Sequence, residues 1–349
     1  MNRGEITRIC EQEVLGVASR LFGTSTERLH KFDDYEGCAN LVYWYELAGE
    51  QRVLRISYRP DRSVERIQAE LHFVNYLAEK GVRVSQPILS ENGNLIEVVP
   101  AGNMPFITVS FRKGRGMRMP DNGYRYREGV PMEEYFRNWG QVLGQMHRLT
   151  KTYQPMSGAI RRPEWHTEDV FTGFPAAKEL PRIREKYDRL MAELHDLPSD
   201  EDSYSLIHFD FNDGNFTVDY ENGDITVFDF DDSCYFWFMY ELACAWEGGI
   251  GWVMDRPLAK RRVFMDHYME QVMAGYTREN TLRDDWLKRM PLFLRLIQMM
   301  ELMHYAQSRY KTDERVQARL RYKIRCIEED IPYLGFFDKI FNPEKPFSM

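Results

Sequence analysis

Charged and apolar residues first alternate in a helical rhythm. From Glu5 to Phe22, Ile6, Ile9, Val14, Leu15, Ala18 and Leu21 recur mostly at three- and four-residue steps, which predicts an amphipathic helix. The rhythm then changes. Asn40–Leu47 and Arg52–Tyr58 are rich in β-branched and aromatic residues, and the polar stretch Ala48–Gln51 between them predicts a β-hairpin. Helical spacing returns over Ser63–Lys80, with Ile67, Leu71, Phe73, Val74 and Leu77 near one face and Gly81 as the stop signal. Pro87–Glu91 and Asn94–Val99, joined by Asn92-Gly93, predict two further strands, and Pro105–Phe111 a third. One small antiparallel sheet covered by a helix accommodates this order.

Beyond Arg112 the pattern is of another kind. Residues 114–131 are rich in Gly, Arg and Tyr and read as an irregular connection. Helices are then expected over Glu133–Lys151, over Ala176–Asp196 and several times between Leu258 and Asp330. Tyr204–Asp232 interrupts them with two short apolar strands framing a polar loop. The expectation is an α+β chain with a boundary near Arg112–Arg118, dividing a lobe at 1–112 from a larger, mostly helical lobe at 113–349.

Composition narrows the function classes. Lys and Arg number 46 against 54 Asp and Glu, a net charge of −8, so nucleic acid is excluded as the main partner, since binding a polyanion rests on clustered cations. Cys10, Cys38, Cys234, Cys244 and Cys326 are scattered, without zinc-like or CxxC spacing, and read as free thiols of a reducing compartment. The first residues lack the apolar core of a signal peptide, and no stretch has the length of a bilayer span. A cytoplasmic protein without a membrane partner is expected.

Candidate chemistry concentrates in Leu206–Asp232. His208, Asp210 and Asn215 fall in the spacing H-x-D-x-x-x-x-N, and the apolar run Ile225–Phe228 leads into Asp229-Phe230-Asp231-Asp232. Phosphoryl transfer needs these residue types together: one carboxylate to orient an attacking hydroxyl and take its proton, and a second carboxylate with an amide oxygen to ligate Mg2+. A tight hairpin could gather them around one point. Taken alone, the loop also fits the minority reading of a mere polar turn, which the strand-framed Asp229-Phe230-Asp231 makes rarer still. A calcium loop is a worse fit, because Gly214 falls at the fifth position where an EF-hand needs the sixth.

This segment resembles the catalytic and metal-binding loops of the aminoglycoside phosphotransferase / choline kinase-like family, a branch of the protein-kinase-like fold. There the loop reads His-Gly-Asp-x-x-x-x-Asn, and an Ile-Asp or Phe-Asp step follows, here 19 residues on (229 − 210). The resemblance implies a bilobal fold, ATP or GTP with Mg2+ as cofactors, Asp210 as catalytic base, Asn215 and Asp229 as metal ligands, Asp231 behind them, and His208 bracing the loop. It places Gly37 and Asn40 in a short nucleotide loop, Arg55 where the family has Lys, and Glu70 as its partner on the next helix. Thr108 would be the gatekeeper, and the backbone of Ser110 to Arg112 would read the adenine edge. Tyr135–Leu149, with His147, and Tyr240-Glu241-Leu242-Ala243 resemble two further family patterns. Arg55 for Lys, Phe209 for Gly and Glu241 for Asp are the departures.

The implied reaction is transfer of the γ-phosphoryl group to a hydroxyl of a small molecule: an aminoglycoside, a choline-like amine, a homoserine-like amino acid or a sugar. Asp232, Glu241, Trp246 and Glu247 are the acceptor candidates, with Glu164, Glu301, Trp165 and Trp237 as further ones, since carboxylates and aromatic faces hold amines. A protein Ser/Thr kinase and a nucleotide-binding pseudokinase are the alternatives. The short stretch between Asp232 and Tyr240 argues against the first, and retention of Asp210, Asn215 and Asp229 together against the second.

Overall fold

A computed structural model describes residues 3–32, 40–58, 62–156, 160–168, 171, 180–250, 252, 258–307 and 314–331. Its helices are α1 (Arg3–Ile9), α2 (Leu15–Leu21), α3 (Val64–Glu79), α4 (Met132–Thr150), α5 (Pro181–His195), α6 (Phe238–Ile250), α7 (Leu258–Tyr276), α8 (Asp284–Leu287), α9 (Met290–Gln307) and α10 (Glu314–Glu328). Its strands are β1 (His30–Lys31), β2 (Leu41–Leu47), β3 (Glu50–Ser57), β4 (Pro87–Ile88), β5 (Glu97–Ala101), β6 (Met104–Arg112), β7 (Tyr204–Ile207), β8 (Phe216–Val218), β9 (Ile225–Val227) and β10 (Cys234–Trp237). They form two compact units that are not consecutive segments. The first takes Met1–Gly123, Tyr153–Arg162 and Asn215–Asp231, and the second takes Tyr124–Thr152, Pro163–Gly214 and Asp232–Met349. The first unit thus runs past residue 112 and recovers two later stretches, which hydrophobic patterning does not announce.

In the first unit the opening helix is broken by a π-helical turn, Cys10–Val14, between α1 and α2. The extra residue in that turn re-phases the apolar stripe. Cys10, Val14 and Ala18 are all fully buried, in one cluster with Leu41, Tyr43 and Tyr45 of β2. The sheet is antiparallel in the order β1-β2-β3-β6-β4, with β5 also on β6. A two-residue turn joins β2 to β3, tighter than the expected Ala48–Gln51, and Ala48 and Gly49 both have positive φ (53° and 79°). Ser63 caps α3, its side chain accepting the Arg66 N–H at 3.2 Å, and Ile67 and Leu71 of that helix pack on Ile107, Val109 and Phe111 of β6.

The Asn92-Gly93 turn does not make the hairpin expected of it. The strands on either side each pair with β6 rather than with one another. The Glu97 carboxylate accepts from the Ser90 hydroxyl at 2.6 Å and from the amides of Asn92 and Asn94, a polar knot in place of a ladder.

The β8–β9 hairpin is stitched to this unit on both sides. Val227 exchanges backbone bonds with Arg83 and Ser85 (2.9 Å each), and Val218 with Met117 (3.2 and 2.9 Å). Gly116 makes the second seam possible. It has φ +78°, and a Cβ there would lie 1.8 Å from the Val218 carbonyl oxygen.

In the second unit β7 pairs with β10, a strand not expected from the pattern, so the apolar runs around the polar loop belong to two separate ladders. Helices α4 and α7 touch backbone to backbone. A Cβ on Gly140 would lie 1.9 Å from the Val272 oxygen, and one on Gly275 would lie 1.9 Å from the Arg137 oxygen. Among the described residues no helix is long and apolar enough to cross a membrane, and Cys10, Cys234, Cys244 and Cys326 form no disulfide.

Gly140→Ala is therefore expected to destabilise the protein by about 1–3 kcal/mol, as overpacking does. A denaturant midpoint equal to wild type would contradict the close helix approach.

Candidate active site

Asn215 precedes β8 and Asp229 closely follows β9. The Phe228 N–H donates to the Asn215 carbonyl at 2.9 Å, so the ladder runs one bond past the strands and sets both residues at the same end of the hairpin. Asp229 is exposed, Asn215 half-buried, and Asp229 holds φ +62°. Both offer hard oxygen donors. A Mg2+ ion commonly takes one or two protein donors and completes its shell with phosphate oxygens and water, so this pair fits a nucleotide-bound cation.

Asp231 is buried two residues on. Its Oδ2 accepts from Arg62 Nε at 3.1 Å and from Asn40 Nδ2 at 3.4 Å, and its backbone oxygen accepts from Arg162 Nη2 at 2.5 Å. Arg162 also donates to the Arg66 carbonyl of α3 at 3.1 Å. Burial works against ionisation of Asp231, but the charges of Arg55, Arg62 and Arg162 and the Asn40 amide outweigh it and hold the carboxyl below its usual range. Asn40 was expected at the nucleotide. Its amide instead turns to Asp231, and its oxygen accepts from Ser57 Oγ at 2.8 Å. Gly37 lies outside the described residues. Arg62 and Arg162 were not foreseen: they stand 169 and 69 positions from Asp231, beyond any local spacing rule.

Arg55 and Glu70 meet as expected, in a buried fork with both Nη–Oε distances 2.7 Å. Burial opposes the Arg55 charge, yet Glu70, Asp231 and Asp229 more than compensate and raise its pKa. Arginine in place of lysine therefore preserves the ion pair, with Nε left as a buried N–H without a partner. Thr108 and Ser110 are fully buried, their hydroxyls bonded to the Glu97 carbonyl (3.2 Å) and Tyr45 hydroxyl (2.8 Å). The Arg112 N–H donates to the Gln86 carbonyl at 2.8 Å, and Ser110 pairs with both Leu54 and Ile88 inside the sheet. Those two N–H groups are thus not free to read an adenine edge.

The second unit carries Asp210. The residue is exposed, and Asn212 Nδ2 donates to its Oδ1 at 2.9 Å. Phe209 before it has φ +75°, a left-handed backbone that costs a non-glycine residue about 1–2 kcal/mol. Two interactions oppose that cost. The Phe209 N–H donates to Glu241 Oε1 at 2.8 Å, and the ring stacks on Tyr240 at 4.9 Å between centroids.

Glu241 is buried, and its Oε2 lies 2.7 Å from His147 Nε2. With both oxygens engaged it braces the loop from within, which corrects its expected place among acceptor contacts. Tyr276 Oη lies 2.9 Å from His147 Nδ1 and accepts from Asn280 Nδ2 at 2.8 Å. Burial drives the His147 pKa down, and the Glu241 bond only partly offsets it, so the imidazole is neutral. His208 is buried with its ring 5.8 Å from that of Phe211.

Burial also pushes the Cys244 thiol well up. Its bond with Tyr240 opposes this, and the charges of Glu241, Glu247 and Asp210 add to it. Trp246 instead lines a cavity of about 710 Å3 with Lys186, Arg262 and Gln298. Asp232 is exposed. Glu164 accepts from the Tyr204 hydroxyl, Trp165 and Trp237 are buried, and Glu301 pairs with Lys323 at 2.7 Å.

The fold thus combines a sheet holding a buried Arg–Glu pair, a hairpin with Asn and Asp at one end, and an exposed loop aspartate. The chain belongs to the phosphotransferase enzyme family, APH, whose model matches residues 35–291. It is 31% identical over 333 residues to the amicoumacin kinase of Bacillus subtilis (strain 168), covering 93% of this chain and 94% of that protein. Among solved structures it is similar to the amicoumacin kinase hAmiN in complex with AMP-PNP, Ca2+ and Ami, with a TM-score of 0.84, 28% identity, and coverage of 95% and 97% of the two chains. A microcompartment-associated aminopropanol kinase shares the fold at a TM-score of 0.64 and 21% identity, over 88% and 94%. The protein is a small-molecule phosphotransferase acting on a hydroxyl.

The neutral His147 has a consequence in acid. Its folded pKa lies below the ordinary 6.5, so its contribution to stability is complete above that pH. It is lost as pH falls through the window beneath, where the unfolded chain takes up a proton that the folded one refuses. Urea midpoints at pH 7.5 and 5.5 are expected to differ less in His147→Gln than in wild type. Equal differences would mean that His147 titrates freely.

Proposed function

We propose that the protein transfers the γ-phosphoryl group of ATP to a hydroxyl of amicoumacin or a closely similar antibiotic, with Mg2+ as the cation. The reading of the chemistry is supported by the Phe228–Asn215 backbone bond, which brings the backbone of Asn215 and that of the residue before Asp229 together at one end of the hairpin. The acceptor is suggested by near full-length similarity to amicoumacin kinase. The cytoplasm, which supplies ATP and keeps thiols reduced, is the compartment that suits this reaction.

Asn215 and Asp229 hold the cation, which when bound neutralises charge on the phosphates. Arg55, fixed by Glu70, adds a positive charge. Asp210 orients the acceptor hydroxyl and takes its proton as the oxygen attacks. Being exposed, it can meet an incoming hydroxyl while Glu241 and Asn212 fix the backbone and carboxylate around it. Glu247, half-buried on α6, is the candidate partner for a cationic group of the acceptor.

Purified protein with ATP and Mg2+ should phosphorylate amicoumacin well above aminopropanol, spectinomycin and hygromycin B, read as ADP release and product mass. Asp210→Asn should lower kcat by roughly 10²–10⁴, the usual range for a general base. Turnover of amicoumacin no better than of the other three would overturn the acceptor assignment. An Asp210→Asn variant with wild-type kcat would overturn the base.

A further inference from the structure

Two residues that stand apart from the family pattern, Phe209 and Glu241, lie 32 positions apart in the chain and touch in the fold. We propose that Phe209 and Glu241 are a matched pair that positions the loop of Asp210, each substitution being workable because the other is present. The proposal rests on reading Asp210 as the catalytic base.

The geometry over-determines Phe209. Its backbone is left-handed, at φ +75°, a region that glycine enters freely and other residues enter only when held there. Its ring lies on Tyr240 with the planes 16° apart, and Phe171 and Phe236 lie beside it at 5.8 and 5.9 Å. Tyr240 and Glu241 are consecutive residues of α6. The same helix therefore clamps the ring of Phe209 and grips its N–H, and the next residue along the loop is Asp210.

Glu241 is fixed at its other end as well. Its Oε2 meets His147, whose second nitrogen meets Tyr276, and Tyr276 is held by Asn280. The His147 ring is stacked on Phe238 with centroids 4.4 Å apart. The carboxylate thus bridges a rigid post on α4 and α7 and the N–H of a residue whose ring cannot slide. An aspartate, one methylene shorter, reaches one of these partners and not both while the Phe209 ring pins the loop. With glycine at 209 the loop backbone is free to follow the shorter carboxylate. The effects of changing the two positions should accordingly be coupled.

The test is a double-mutant cycle on the full-length chain: wild type, Phe209→Gly, Glu241→Asp and the double variant, each read for kcat, KM and Tm. Glu241→Asp is expected to lower kcat with KM for ATP nearly unchanged. Adding Phe209→Gly should recover about tenfold or more of that loss, within the range for residues in contact. Glu241→Gln keeps the side-chain length and should stay nearer wild type in kcat than Glu241→Asp, which a mere loss of folding would not produce. Losses in kcat and Tm that simply combine in the double variant would overturn the pairing, as would Glu241→Gln falling below Glu241→Asp. If wild type turned over none of the acceptors, the functional reading would fail separately, and non-additive Tm values in the same four proteins would still support the pair.

Discussion

Taking a carboxylate out of water costs several kcal/mol unless charge and hydrogen bonds replace what the water supplied. Asp231 is in that position, and the replacements come from distant parts of the chain: Arg62 just ahead of α3, Arg162 after the α4 region, and Asn40 at the entry to β2. Removing one partner from such a buried cluster typically costs about 3–5 kcal/mol, because the remaining charges are left uncompensated. The cluster therefore fixes three chain segments with respect to one another within the first unit. It also fixes the segment just before Asp231, where Asp229 takes its own left-handed conformation. The end of the hairpin that carries Asn215 and Asp229 is held by that buried charge and by the seams to Met117 and Arg83–Ser85.

A similar device recurs in the second unit. Strained backbone persists only where the surroundings over-determine it. Asp229 is strained beside the anchored Asp231, and Phe209 is strained in direct contact with the anchored Glu241. In each case a buried carboxylate is gripped by cations or an imidazole, and an aspartate nearby, Asp229 or Asp210, remains exposed. The close α4–α7 contact belongs to the same scheme. Gly140 and Gly144 let α7 approach until Tyr276 can meet His147, so a packing feature sets the post on which Glu241 rests.

Much of this was legible in order and type. Periodicity predicts α3 and α4 to within a residue or two, and the β2–β3 pair nearly as well, because each element buries one continuous face. Spacing singles out Asp210, Asn215 and Asp229 because the residue types are chemically demanding. What escaped is non-local. Nothing around Arg62 or Arg162 tells that they converge on one carboxylate. Asn40 reads as part of a phosphate loop because its residue type suits one, and only its buried neighbours show what its amide does. Glu241 reads as an acceptor contact by charge, and the imidazole that occupies it comes from a helix 94 residues away. The Asn92-Gly93 turn signals reversal correctly, but the segments on either side both pair with β6.

Arg55 shows how an apparently conservative difference redistributes work within a site. A lysine ammonium can direct its donors to a glutamate and to a phosphate at once. The Arg55 guanidinium places both Nη atoms on Glu70, and its remaining Nε–H is buried. On the proposed reading it contributes to nucleotide binding mainly through its charge. Direct contact with the phosphates then falls chiefly to the cation held by Asn215 and Asp229. A site arranged in this way depends more steeply on its metal than one in which a lysine shares the phosphates, and the rigid anchoring of the hairpin end is the structural counterpart of that dependence.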